Sequence, residues 1–177
     1  MANTAEIKIS EANLREANLE KANLKRVSLE RADLMGANLK EADLEEADLK
    51  EAHLEMSNLE GANLKKANLM GAYLPRAQIK GANLIKAHME GAKLVKAYLE
   101  EANLAGAYLF MANLEGANLK EANLEMVDFE EANLLGTHQL TIDQLSKVKT
   151  LYNAKLDKEL CLLLKIKYPA LFEISNR

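Results

Sequence analysis

From Ile7 to Gly136 the chain repeats a five-residue pattern of apolar and polar positions without insertion or deletion. Leu14, Leu19, Leu24, Leu29 and Leu34 begin a track that runs to Leu134, changed in kind only at Ile9, Ile79, Met89 and Phe129. Two residues before each stands an alanine, with Ile7, Val27, Ser57 and Val127 as exceptions. Between the tracks lies a mostly polar slot, usually Asn or Asp, as in Asn13, Asn18, Asp33 and Asp43. The unit is Ala-(Asn/Asp)-Leu-x-x.

A helix advances 100° per residue, so a strict period of five would scatter the leucines around its whole surface. A strand places residues two apart on one side, so Ala12 and Leu14 point together and Asn13 points away. Three residues of strand then leave two for a corner. All eight glycines, Gly36, Gly61, Gly71, Gly81, Gly91, Gly106, Gly116 and Gly136, fall on the second corner position. A type II corner needs positive φ there, which glycine adopts at least cost. A chain that turns the same way every five residues winds into a solenoid with Ala and Leu inside.

The corner charges indicate how many units close a coil. At a twenty-residue offset, Glu20, Lys40, Glu60, Lys80, Glu100 and Lys120 alternate in sign. Over both corner tracks that offset gives thirteen opposite pairs to three like, and fifteen residues gives eight to seven. Four sides are favoured, with ladders that set the register of stacked coils rather than supply much stability.

Uninterrupted Ala-(Asn/Asp)-Leu-x-x resembles the pentapeptide-repeat proteins. The resemblance implies an all-β, right-handed four-sided β-helix. With 26 central positions from Ile9 to Leu134, it has about six to seven coils. Three segments are expected: a lead-in at 1–6, the β-helix at 7–136 and a small α-helical cap at 137–177. In the cap, Thr141 with Gln144 reads as a capping box opening a helix to about Lys149. Asp157 is expected to cap a second helix with Leu160, Leu163 and Leu164 on one side. The tail resembles the helical ending of many family members. Those leucines either seal their own rod or form a homodimer, as some members do. At the other end, the lead-in folds over the first coil or leaves it open to another chain.

Ala and Leu make most of the apolar half of the composition, which alone would suggest a helical bundle, and it is the period that overrules this. Cys161 is the single cysteine, so no internal disulfide is expected. No signal-like or membrane-spanning run is present, and the expected location is cytoplasmic. His53, His88 and His138 lack metal-ligand spacing, and no glycine loop could cradle a phosphate. No enzyme, metal or cofactor chemistry is therefore expected.

Binding is the better expectation. Met56, Tyr73, Pro75 and Val95, with Met35, mark an electrically neutral face, and Tyr108, Phe110 and Met111 an adjoining acidic one. The reading is a non-enzymatic interaction scaffold with an unidentified protein partner and no direct contact with nucleic acid or membrane. The alternative follows from the resemblance: some members mimic DNA to inhibit or protect gyrase and topoisomerase. Here the acidic face carries three positive and eight negative charges over 7–136, while the other faces are near balance. Alternating ladders are unlike the continuous charge of a duplex.

Overall fold

The computed structural model describes residues 8–174; Ile7, the lead-in and the last three residues of the cap lie outside them. Parallel bridges join residues twenty apart, from Lys8↔Ser28 to Asn118↔His138. Twenty residues therefore make one coil, and the slot residues form four columns up the rod. The strands expected at three residues per side contract to one bridged residue per side, because a corner claims the rest.

One unit shows how the backbone is satisfied. Asp33 N–H donates to Ala12 O (2.9 Å), Leu14 N–H to Asp33 O (2.7 Å) and Glu16 N–H to Met35 O (3.0 Å), tying adjacent coils. Ala17 N–H closes the corner on Leu14 O at 3.1 Å. The fifth donor is taken by the slot. From Asn13 to Asn133 every Asn or Asp there accepts, through Oδ1, the N–H two residues on, at 3.0–3.4 Å. A short side chain with an acceptor at that reach is what Asn and Asp provide. Tyr73 offers none, and two residues on stands Pro75, which has no N–H to satisfy.

The second corner position has φ of 55–59° in other residues and 63–68° in glycine throughout the repeat. Glutamate, lysine, arginine and methionine hold this left-handed conformation at most corners, at about 1 kcal/mol each. Inside, the Leu and Ala tracks from Leu29 onward are almost completely buried in one continuous core. Ile9, Leu14, Leu19 and Leu24 in the first coil are only partly covered.

At the C-terminal end the winding outlasts the sequence repeat. Helix α1 (Ile142–Leu145) occupies the position of one side, and bridging resumes at an offset of twenty-two with Asp128↔Thr150 and Asn133↔Lys155. The capping box of Thr141 and Gln144 forms, but the helix is one turn long and stops well before Lys149. Gln144 Nε2 donates to Leu119 O (2.8 Å) and Ala122 O (3.0 Å), pinning the turn onto the corner beneath. The backbone beyond it pairs with the coil below through Met126 N–H to Lys147 O (2.8 Å) and Lys149 N–H to Val127 O (2.9 Å). Helix α2 (Lys158–Lys167) starts at Asp157, whose carboxylate accepts Gly136 N–H at 3.1 Å instead of capping α2. Pro169–Phe172 follows as a 3₁₀ turn, and Leu171 O receives Leu151 N–H at 2.6 Å.

Candidate interaction faces

Among the described residues, eight ion pairs link corner residues twenty apart between Lys21 and Lys66. Lys25, Glu45 and Lys65 form a continuous ladder at 2.5 and 3.8 Å. Further up the rod the pattern changes. Lys80 turns to Glu101 (3.2 Å) and Lys120 to its neighbour Glu121 (3.6 Å). The Arg26 guanidinium holds Glu46 below its ordinary value, and Arg31 does the same for Glu51. Hydrogen bonding to Glu45 raises Lys25, and bonding to Glu51 raises Arg31. For Asp33, burial pushes upward but is outweighed by Met35 N–H and the Arg15 guanidinium, and the net direction is down.

The apolar candidates form two patches on adjoining faces. In the first, Met56 and Tyr73 are exposed, while Met35, Pro75 and Val95 are half-buried along one corner column. Met56 N–H donates to Pro75 O at 3.0 Å. In the second, Tyr108 and Met111 are exposed and Phe110 is half-buried. Thirty-five residues, one coil and three sides, separate the two tyrosines.

The histidines join these patches. His53 stacks on Tyr73 (centroids 5.4 Å, 11° between planes) and His88 on Tyr108 (4.7 Å, 12°). Each faces a glutamate two residues on: His53 Nδ1 to Glu55 Oε1 at 3.3 Å and His88 Nδ1 to Glu90 Oε1 at 3.2 Å. In the sequence these histidines stand out only as lacking metal-ligand spacing. The twenty-residue offset that puts Tyr73 over His53 and Tyr108 over His88 was available in the spacing. Tyr98, exposed in the outward slot of a third face, was missed although Tyr73 and Tyr108 share its position. It lines a depression of about 350 Å³ with Glu60, Gln78, Lys80 and Glu100. Among the described residues, no group of three or more His, Cys, Asp or Glu is placed to hold a metal.

On α2, Leu164 is fully buried and Leu160 packs partly against the rod, as does Cys161. Leu163 is exposed, and the outward face is completed by Leu162 and by Ile166 at 78% exposure. Of the three leucines expected on one side, two therefore serve the chain's own core. No helix among the described residues is long and apolar enough to cross a membrane.

The profile described as Pentapeptide repeats matches residues 12–51, 47–84, 72–109 and 97–136. The chain belongs to the pentapeptide-repeat family. Among solved structures it is 30% identical to HetL, a pentapeptide repeat protein involved in heterocyst differentiation regulation in the cyanobacterium Nostoc sp. strain PCC 7120. That match covers 86% of this chain and 73% of HetL, with a TM-score of 0.49. A second Nostoc pentapeptide repeat protein, alr5209, is 31% identical over 65% of this chain and 84% of its own, with a TM-score of 0.37. A trypsin-treated form of QnrB1, a plasmid-mediated fluoroquinolone resistance protein, is 20% identical over 94% and 95%, with a TM-score of 0.55. The likeness to QnrB1 is one of fold. No curated protein sequence matches the chain.

Proposed function

We propose that this pentapeptide-repeat protein is a non-enzymatic cytoplasmic scaffold, a right-handed rod that binds a protein partner through its faces. One observation carries the reading. Met56 and Tyr73 on one face, and Tyr108 and Met111 on the next, stand exposed among ion pairs and Asn stacks, each an aromatic ring paired with a methionine on the same face. Exposed aromatic side chains bring large apolar area to an interface at little entropic cost, and methionine adapts its shape to the surface it meets. The test compares affinity capture by the wild type and by Tyr73→Ala/Phe110→Ala/Met111→Ala. A partner held by the first and lost by the second supports the reading; equal capture by both sinks it.

We also propose a homodimer through α2, supported by the exposed Leu162, Leu163 and Ile166. Ile166→Glu should then convert a dimer to a monomer in sedimentation, and a monomeric wild type excludes it. The acidic face favours a second reading, a modulator of gyrase or topoisomerase that occupies a basic DNA-binding groove. A supercoiling assay with and without a quinolone decides it. No effect at micromolar protein removes this reading.

A further inference from the structure

The acidic face holds a depression of about 370 Å³ lined by Glu90, Tyr108, Phe110, Asp128 and Lys149. Its acceptors are unequally used. Both oxygens of Asp128 are engaged: Oδ1 receives Glu130 N–H at 3.1 Å, and Oδ2 receives Lys149 Nζ at 2.8 Å. Glu90 Oε1 faces His88, but Glu90 Oε2 is buried with no hydrogen-bond partner among the described residues. A buried carboxylate oxygen left in that state is costly unless a donor reaches it. Lys149, arriving from the segment after α1, shows that this hollow already accepts one cation. The second acceptor stands beside two aromatic rings.

We infer that the hollow is a recognition notch for an arginine side chain on a basic, extended segment of a partner protein. A guanidinium is planar and weakly hydrated, so it can lie against Phe110 or Tyr108 and, as the Glu90 side chain (26% exposed) turns outward, donate to its Oε2. The eight acidic against three basic residues of this face over 7–136 favour a basic partner. Met111, 54% exposed on the same side of the same coil, offers apolar contact to residues flanking the arginine. The other stacked pair supplies a natural contrast. His53, Glu55 and Tyr73 repeat the arrangement, and Glu55 Oε2 is likewise buried without a partner. There, however, Lys93 follows Tyr73 in the column, where Asp128 follows Tyr108. The chain's own lysine replaces a carboxylate, and that face is neutral rather than acidic.

This inference rests on the scaffold reading and narrows it to one site and one chemistry. The test uses the full ¹⁵N-labelled chain and three probes: acetylated and amidated Leu-Arg-Leu, its citrulline counterpart, and free arginine. The arginine peptide should shift the amide resonances of Glu90, Tyr108 and Phe110 saturably, and the uncharged citrulline peptide should not. Glu90→Gln, which keeps size and fold, should weaken binding about tenfold or more. Glu55→Gln should leave binding unchanged. Absence of saturable shifts, equal binding of the citrulline peptide, or equal weakening by Glu55→Gln would overturn the notch. Free arginine binding as tightly as the peptide would assign the site to a small molecule instead. A captured partner that Glu90→Gln still holds would also overturn the notch while leaving the scaffold reading intact.

Discussion

Asn83 and Leu84 are neighbours that face opposite ways. Leu84 is buried in the stacked core. Truncation to alanine leaves a cavity that rigid coils cannot fill by collapsing, so Leu84→Ala should lose about 2–5 kcal/mol. Asn83 accepts Ile85 N–H at 3.3 Å and donates to Asn63 at 3.1 Å. Both groups reach water when the side chain is removed, and Asn83→Ala should lose about 1 kcal/mol. Urea denaturation of the two variants checks the contrast; similar losses would mean that the slot does more than tie its own corner. The inward and outward assignment was legible from the period alone. The role of Asn and Asp was legible only as a preference for backbone bonding. Which N–H they take depends on corner geometry that composition does not encode.

The coil-to-coil ladders belong to the scale of the element. Sign alternation at twenty residues indicated the number of sides, and the bridges repeat at that interval. Individual partners were less legible, because long side chains choose among neighbours on two columns: Lys80 leaves Glu60 and Glu100 for Glu101. The C-terminal end was read least well. A two-residue slip around α1 cannot be inferred from a period that has already ended, and the outward face of α2 depends on how the helix rolls onto the last coil. Two predictions follow from the ladders. Glu60→Lys removes the 3.5 Å pair with Lys40 and sets a third lysine between Lys40 and Lys80. It should cost less than about 1 kcal/mol and lower the melting temperature more in low salt than in high. In acid, the folded-state values of Glu46 and Glu51 lie below their ordinary 4.5. Their contribution is therefore present above that value and is lost as pH falls through the lowered one. Arg26→Gln/Arg31→Gln should flatten the acid limb of a melting-temperature profile, and an unchanged limb would show that these exposed pairs contribute nothing measurable.

At the scale of the whole molecule, each coil touches only the coil above and the coil below, so stability is a sum of nearest-neighbour terms and is lowest where a neighbour is missing. The two described ends differ. At the C-terminal end Leu134 N–H donates to Lys155 O at 2.8 Å, and Leu164 is buried against the rod. At the other end, Leu14, Leu19 and Leu24 are only partly covered, and the N–H groups of Asn13, Asn18 and Asn23 have no backbone acceptor among the described residues. Opening should therefore begin at the first coil and travel upward. Native-state hydrogen exchange should find Leu14 and Leu19 amides exchanging at least about a hundredfold faster than Leu64 and Leu84, a difference of roughly 3 kcal/mol in local stability. The four donate to equivalent acceptors in the coil above at the same 2.7 Å, so bond geometry cannot produce the gradient. The thinner cover of the first coil among the described residues can. Equal protection would mean either that the rod opens as one unit or that its first coil is covered, by the lead-in or by another chain. Dilution singles out the second chain, because the protection it lends falls with concentration, whereas that of a single rod or of its own lead-in does not.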